Sequence, residues 1–277
     1  MNAFKTNEGK QAVIEYYNML VGHMNVSHEE LYVETRFGDA FLLAAGDKEK
    51  EPVILLHGSS MNAAMWIKDI EEMSKHFRVY APDLPGEPGR SSEEQLQFDN
   101  MDYALWLSDV FMALHINTAN LVGVSLGAWL AAKFASNYAD KVKKLVLLCP
   151  AGIGGQNSAF KEIAMTLLSK GESGVDELFQ MINGGNPIPE IMLNYQKLIA
   201  GVFNSRMEPI PSFTDEDLKH ITMPSLLIVG EKDIMLNSIE TAERYKRLVP
   251  TASIMVLSDA GHSLPGKTEK IINFLVK

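Results

Sequence analysis

The chain is short of cysteine, of positive charge and of long apolar runs. Cys149 is the one cysteine in 277 residues, so no internal disulfide can form and a cysteine-based zinc site is excluded. Asp and Glu number 35 against 25 Lys and Arg, a formal net charge of -10. That balance argues against a nucleic-acid partner, whose phosphates are bound by clustered Lys and Arg. No window reaches the ~18 consecutive apolar residues of a membrane-crossing helix. Residues 1–24 mix Lys5, Glu8, Lys10 and Glu15 among their apolar side chains, without the uninterrupted apolar core or small-residue cleavage site of a secretion signal. These absences lead to the expectation of a cytoplasmic protein with no membrane partner. Oligomeric state is left open.

What is present is an ordinary globular composition, with 46% hydrophobic residues. A chain of this length buries roughly 75% of its unfolded surface and folds without staples. Ala12, Val13, Tyr16, Tyr17 and Leu20 fit one face of an N-terminal helix. Residues 30–37 and 40–45 then read as two strands joined by a turn at Gly38-Asp39. Six short, continuously apolar runs follow, at 53–56, 79–81, 121–124, 145–148, 226–229 and 254–257. Such runs mark strands covered on both faces, as in a parallel sheet. Helical spacing fills the intervals 61–76, 101–115, 126–138 and 238–248, and again 268–276. The alternation predicts an α/β fold: a mostly parallel eight-stranded sheet flanked by helices.

One region breaks the alternation. Residues 152–217 contain no buried-strand run, many glycines and prolines, and helical patches at 160–168, 175–182 and 190–203. A structureless loop of this length is uncommon in a compact domain. The expected organisation is therefore a core made of residues 1–151 and 218–277, with 1–25 as a helical extension, and a helical cap inserted at 152–217.

The sharpest local signal is Gly123-Val-Ser-Leu-Gly127, between an apolar strand and a helical stretch. A G-x-S-x-G at a strand-to-helix turn lifts the serine hydroxyl clear of the sheet, and a Cβ at either glycine would collide across the bend. A serine hydroxyl is a weak nucleophile and needs an adjacent base. Of seven histidines, His262 follows the last apolar run, where the base belongs in the chain order Ser, acid, His. The others lie in helical or linker contexts or, for His57, in a loop that it would anchor.

The acid that orients the base should follow an earlier strand. Asp233 does so, three residues beyond Gly230, whereas Cys149-Pro-Ala-Gly152 at the end of another strand carries no carboxylate. Asp259 on the histidine's own loop is the runner-up and Glu231 a weaker competitor. An oxyanion needs preorganised N–H donors. Leu126, directly after the serine, can supply one, and Ser59 in His57-Gly-Ser-Ser60 the other.

With these motifs the chain resembles the α/β-hydrolase superfamily over nearly its whole length after the N-terminal helix. Asp83-Leu-Pro-Gly-Glu-Pro-Gly-Arg-Ser91 is similar to the family's D-x-x-G-x-G-x-S loop, with one extra residue between the glycines. The resemblance implies a helical cap after the sixth core strand and a cofactor-free serine hydrolase acting on small, largely apolar esters through an acyl-enzyme. Ser125, Asp233 and His262 would be catalytic, Ser59 and Leu126 the oxyanion donors. Ser60, Met61, Trp66, Met165, Phe179 and Phe203 are candidates for lining the pocket. Carbon–carbon bond hydrolysis, acyl transfer or perhydrolysis would use the same triad. A ligand-sensing protein that merely kept the fold is the reading from another class, and the intact residue set argues against it.

Overall fold

The computed structural model describes residues 3–206 and 208–277. Strands β1 (His28–Thr35), β2 (Gly38–Ala45), β3 (Pro52–Leu56), β4 (Arg78–Pro82), β5 (Ala119–Val124), β6 (Val142–Leu148), β7 (Ser225–Gly230) and β8 (Ala252–Leu257) form one sheet. Their order across the sheet is β1-β2-β4-β3-β5-β6-β7-β8. Strand β2 runs antiparallel to both neighbours; every pairing from β4 through β8 is parallel.

The central strands are apolar on both faces because helices cover both. Leu121, Leu145 and Leu147 point into one core with Trp106, Leu107, Trp129 and Tyr245, from helices α3 (Asp102–Ala113), α4 (Leu126–Asn137) and α9 (Ser238–Leu248). Their alternates Val122, Val146 and Leu148 point into a second core. There they meet Tyr17, Ile70 and Ile271 from α1 (Asn7–Gly22), α2 (Ile67–Met73) and α10 (Thr268–Leu275). Each such Leu or Val contributes roughly 1.5–3 kcal/mol on burial, so the sheet is held from both sides by the residues that made it legible.

Four elements differ from the sequence expectation, the fourth being a short helix after the cap segments. The β1–β2 turn is Arg36-Phe37, two residues earlier, because Thr35 pairs with Gly38 across the hairpin. Thr35 Oγ1 donates to the Gly38 carbonyl at 2.5 Å, and Arg36 is clamped by both oxygens of Asp109 at 2.8 Å. The 61–76 stretch splits into a 3₁₀ turn, Ala63–Trp66, and α2, since Asn62 Oδ1 accepts from Ala64 N and starts a tight turn. Strand β8 is the sheet edge and is only half covered, with Val256 exposed, although its run reads as fully buried.

Between β6 and β7 lie helices α5 (Phe160–Leu168), α6 (Glu172–Ile182), α7 (Glu190–Val202) and α8 (Asp215–Lys219). The last is absent from the sequence reading. It is set by a reciprocal capping box, with Thr214 Oγ1 accepting from Asp217 N and the Asp217 carboxylate accepting from Thr214 N. Its Leu218 packs into the core rather than with the other three helices. Helix α1 braces α7: Tyr16 stacks on Tyr195 at 5.0 Å and Phe4 meets Phe203 edge-on.

Candidate active site

Parallel register brings the carboxyl ends of β5, β6 and β7 level, with Val124 beside Leu148 and Leu148 beside Ile228. The loops leaving those ends carry Ser125, Cys149 and Asp233. Ser125 itself sits at φ 53° and ψ −112°, a conformation a non-glycine residue adopts only when its surroundings impose it. Ser125 N donates to the Leu148 carbonyl and Ser125 O accepts from Trp129 N, both at 2.9 Å, which pins the turn on each side. A Cβ at Gly123 would stand 2.3 Å from Gly127 O, and one at Gly127 only 2.1 Å from Leu56 O. Both positions therefore require glycine: Gly123 for the expected collision across the bend, Gly127 because the end of β3 passes against it.

His262 Nδ1 lies 2.6 Å from Asp233 Oδ2, and the Asp233 side chain is fully buried. The other oxygen, Oδ1, accepts from Met235 N at 2.7 Å and Leu236 N at 3.0 Å. With each oxygen committed, the carboxylate cannot swing away from the ring. His262 Nε2 is buried and has no hydrogen-bond partner among the described residues. The competitors are not so placed. Glu231 and Asp259 are both exposed, and Asp259 engages Asn186 through its main-chain oxygen.

The histidine loop is held by backbone packing. A Cβ at Gly230 would lie 2.2 Å from Gly261 O, and one at Gly261 would lie 2.4 Å from Gly184 N. His262 N donates to Ile182 O at 2.8 Å. The end of α6 thus fixes the loop that carries the ring. Cys149 completes the surroundings. It has φ 42°, and its thiol, Asp233 and His262 place one potential metal-ligating atom each within 4.8 Å of the others. Burial, then the Asp233 charge, pushes the thiol pKa well up. That disfavours the thiolate a metal would need, and Asp233 and His262 already bond to each other.

The loop after β3 closes the other side. A Cβ built on Gly58 would be in ordinary contact with Ser125 Cβ, at 3.5 Å. Leu126 is buried at the start of α4, and Ser59 is exposed at the loop tip. His57 is buried beneath them. Its Nε2 accepts from Leu84 N at 2.7 Å, so the ring proton is on Nδ1, which donates to Gly58 O at 2.8 Å. Burial lowers its pKa to about 4, keeping the ring neutral as an anchor for the loop. Asp83, in the glycine-containing loop, accepts from Ala63 N, Arg90 N and the Tyr17 hydroxyl; burial raises it to about 6. Its role is to tie loops together.

The apolar candidates are scattered. Ser60 and Phe179 are half-buried, and Met61 is buried beside the loop. Trp66 and Phe203 lie within the second core, at 3% exposure each. Met165 stands on the outer surface of α5, 60% exposed.

Residues 53–270 match the family described as "Alpha/beta hydrolase family". The chain is 31% identical over 268 residues to "Carboxylesterase YbfK" of Bacillus subtilis (strain 168), covering 93% of this chain and 89% of that one. A second protein of that organism, "Uncharacterized carboxylesterase nap", is 30% identical, with 93% and 88% covered. The crystal structure of naproxen esterase (carboxylesterase NP) from Bacillus subtilis superposes with a TM-score of 0.88, at 27% identity and with 98% and 99% covered. The chain belongs to the alpha/beta hydrolase family. Among the described residues, no helix is long and apolar enough to cross a membrane.

Proposed function

We propose that this alpha/beta hydrolase is a serine carboxylesterase that cleaves small, largely apolar esters through an acyl-enzyme. The observation that carries the reading is the 2.6 Å contact between Asp233 and His262, with His262 Nε2 buried and unpartnered among the described residues, at the carboxyl ends of the central strands where Ser125 is held in its strained turn. Similarity to two carboxylesterases over most of the chain supports the ester as substrate class.

In this mechanism Ser125 Oγ attacks the ester carbonyl carbon while His262 Nε2 takes the hydroxyl proton. Asp233, accepting from Nδ1–H, keeps the ring in the tautomer that leaves Nε2 free and stabilises the imidazolium that forms. The carbonyl oxygen gains negative charge and is met by the amides of Ser59 and Leu126. Collapse of the tetrahedral intermediate breaks the bond to the alcohol, which leaves with the proton from His262. Water, deprotonated by the same nitrogen, then releases the acid and restores Ser125.

Residues 152–217 act as the cap of the site, over a core of 1–151 and 218–277. The His262–Ile182 hydrogen bond supports this, because it ties the end of α6 to the catalytic loop. Hydrolysis of p-nitrophenyl esters of graded acyl length, compared with a carbon–carbon hydrolase substrate, tests the substrate class. Turnover of short and medium esters is expected; turnover of the carbon–carbon substrate alone would overturn it.

A further inference from the structure

The loop residues Gly86-Glu-Pro-Gly89 contain the extra position that distinguishes this chain from the D-x-x-G-x-G-x-S pattern. Glu87 lies between the two glycines and does not behave as a loop carboxylate ordinarily does. It is buried, and Glu87 Oε2 accepts from Ser60 N at 2.6 Å. Ser60 directly follows Ser59, the proposed oxyanion donor, and has φ 56°, in the left-handed region that a side chain disfavours.

From this geometry we infer that Glu87 is a positioning residue for the oxyanion loop: by capturing the amide of Ser60 it holds the Ser59–Ser60 peptide outward and Ser59 N–H toward Ser125. The inference rests on the serine-esterase reading above. A strained residue stays put only when its neighbours over-determine it. Two contacts do so here. Glu87 takes the Ser60 amide, and Ser60 Oγ donates to Ser205 Oγ at 2.9 Å. Glu87 is itself fixed by its loop, where Gly89 N donates to Glu87 O at 2.7 Å. With the carboxyl removed, a half-buried N–H would lose its partner, and only the Ser205 contact would still oppose the relaxation of Ser60 out of its left-handed turn.

The charged and titratable groups facing Glu87 are Arg206, beyond α7, and Tyr103 of α3. Arg206 is engaged elsewhere, by the Leu96 carbonyl, the Tyr103 hydroxyl and Glu208, and lies 3.9 Å over the Phe98 ring. It therefore moderates the charge on Glu87 without forming its own ion pair with it. Burial raises the Glu87 pKa to about 8, so near neutrality an uncharged carboxyl does the holding. A glutamine amide, whose carbonyl oxygen accepts equally well, is then a faithful replacement.

The oxyanion exists only along the reaction path, so misplacing its donor lowers kcat and leaves KM nearly untouched. The test compares wild type with Glu87→Gln and Glu87→Met on a p-nitrophenyl ester, alongside thermal melts. Methionine keeps the volume and removes the acceptor, avoiding the cavity that alanine would leave. Expected for Glu87→Met is a fall in kcat on the order of 10²-fold, the scale of a displaced catalytic group, with KM within about twofold. Glu87→Gln should restore kcat to within about threefold of wild type. Equal kcat in Glu87→Met and wild type overturns the inference even if the melting temperature falls, since that marks a structural role only. A fall in kcat that Glu87→Gln fails to rescue overturns it as well. Should Glu87→Met not fold, Glu87→Gln decides: kcat near wild type is required, and a large loss refutes the proposal. A wild-type protein inactive on every ester is a different outcome, defeating the esterase reading and this inference together.

Discussion

Asp233 and His262, 29 residues apart in the chain, meet through a 2.6 Å contact between Oδ2 and Nδ1, and both amides that bind Oδ1 belong to the turn immediately after Asp233. The acid is thus oriented by its own loop, and the ring by the acid. Replacing Asp233 by Asn keeps the shape but presents an amide to Nδ1 and favours the wrong tautomer. Asp233→Asn should lower kcat by about 10⁴-fold, whereas Asp259→Asn should change it less than about threefold. Steady-state kinetics on one ester decides; the reverse order of effects would move the acid to Asp259.

Cys149 should be inert in the folded protein despite standing beside that pair. Its thiol is buried and its pKa is pushed well up, so little thiolate is available to react. Iodoacetamide at pH 8 should leave native protein unmodified and active, and label Cys149 once denaturant is added. Mass spectrometry showing rapid native labelling would contradict the packing.

How far the chain could be read directly depended on whether a signal was local. The elbow was legible because Gly123, Ser125 and Gly127 stand within five consecutive residues, and the bend alone brings Gly127 O against Gly123. The parallel sheet was legible because burial on both faces leaves runs such as Leu145-Val-Leu-Leu148 with no polar interruption. The contact of Glu87 with Ser60 was not legible. Its partner is 27 residues away, and no local pattern names it. The β1–β2 turn was misplaced because the clamp on Arg36 comes from Asp109, 73 residues on. Helix α8 has a local signal, the capping box of Thr214 with Asp217, but its 5 residues are too few for a helical period to show.

The elbow glycines should be intolerant of even one methyl group. Gly127→Ala would place a Cβ 2.1 Å from Leu56 O, a contact that only movement of β3 or α4 can relieve. A loss of stability of at least about 1–3 kcal/mol is expected from overpacking, visible as a lowered urea midpoint. A midpoint equal to wild type would show that the turn is looser than described.

His57 gives stability a defined acid limit. Its folded pKa of about 4 lies below the ordinary 6.5, so the unfolded chain binds the extra proton between those values. The contribution is present above about pH 6.5 and is lost as pH falls through 4. At about 1.4 kcal/mol per pH unit, it amounts to on the order of 3 kcal/mol. Glu87 and Asp83 act in the opposite sense: with folded values raised to about 8 and about 6, they favour the fold at low pH and lose that contribution as pH rises. Urea unfolding of wild type and His57→Gln from pH 4 to 7 separates the two. The gap between them should widen as pH rises to 6.5; a constant gap would mean that His57 titrates normally in the fold.

The central claim is that Ser125 is a nucleophile activated by the buried Asp233–His262 pair. A fluorophosphonate probe reacts preferentially with an activated serine, and mass spectrometry locates the bond. Stoichiometric labelling is expected at Ser125 in the folded protein, abolished in Ser125→Ala and strongly slowed in His262→Ala. A folded wild-type protein that remains unlabelled, or that is labelled at another residue, would contradict that claim.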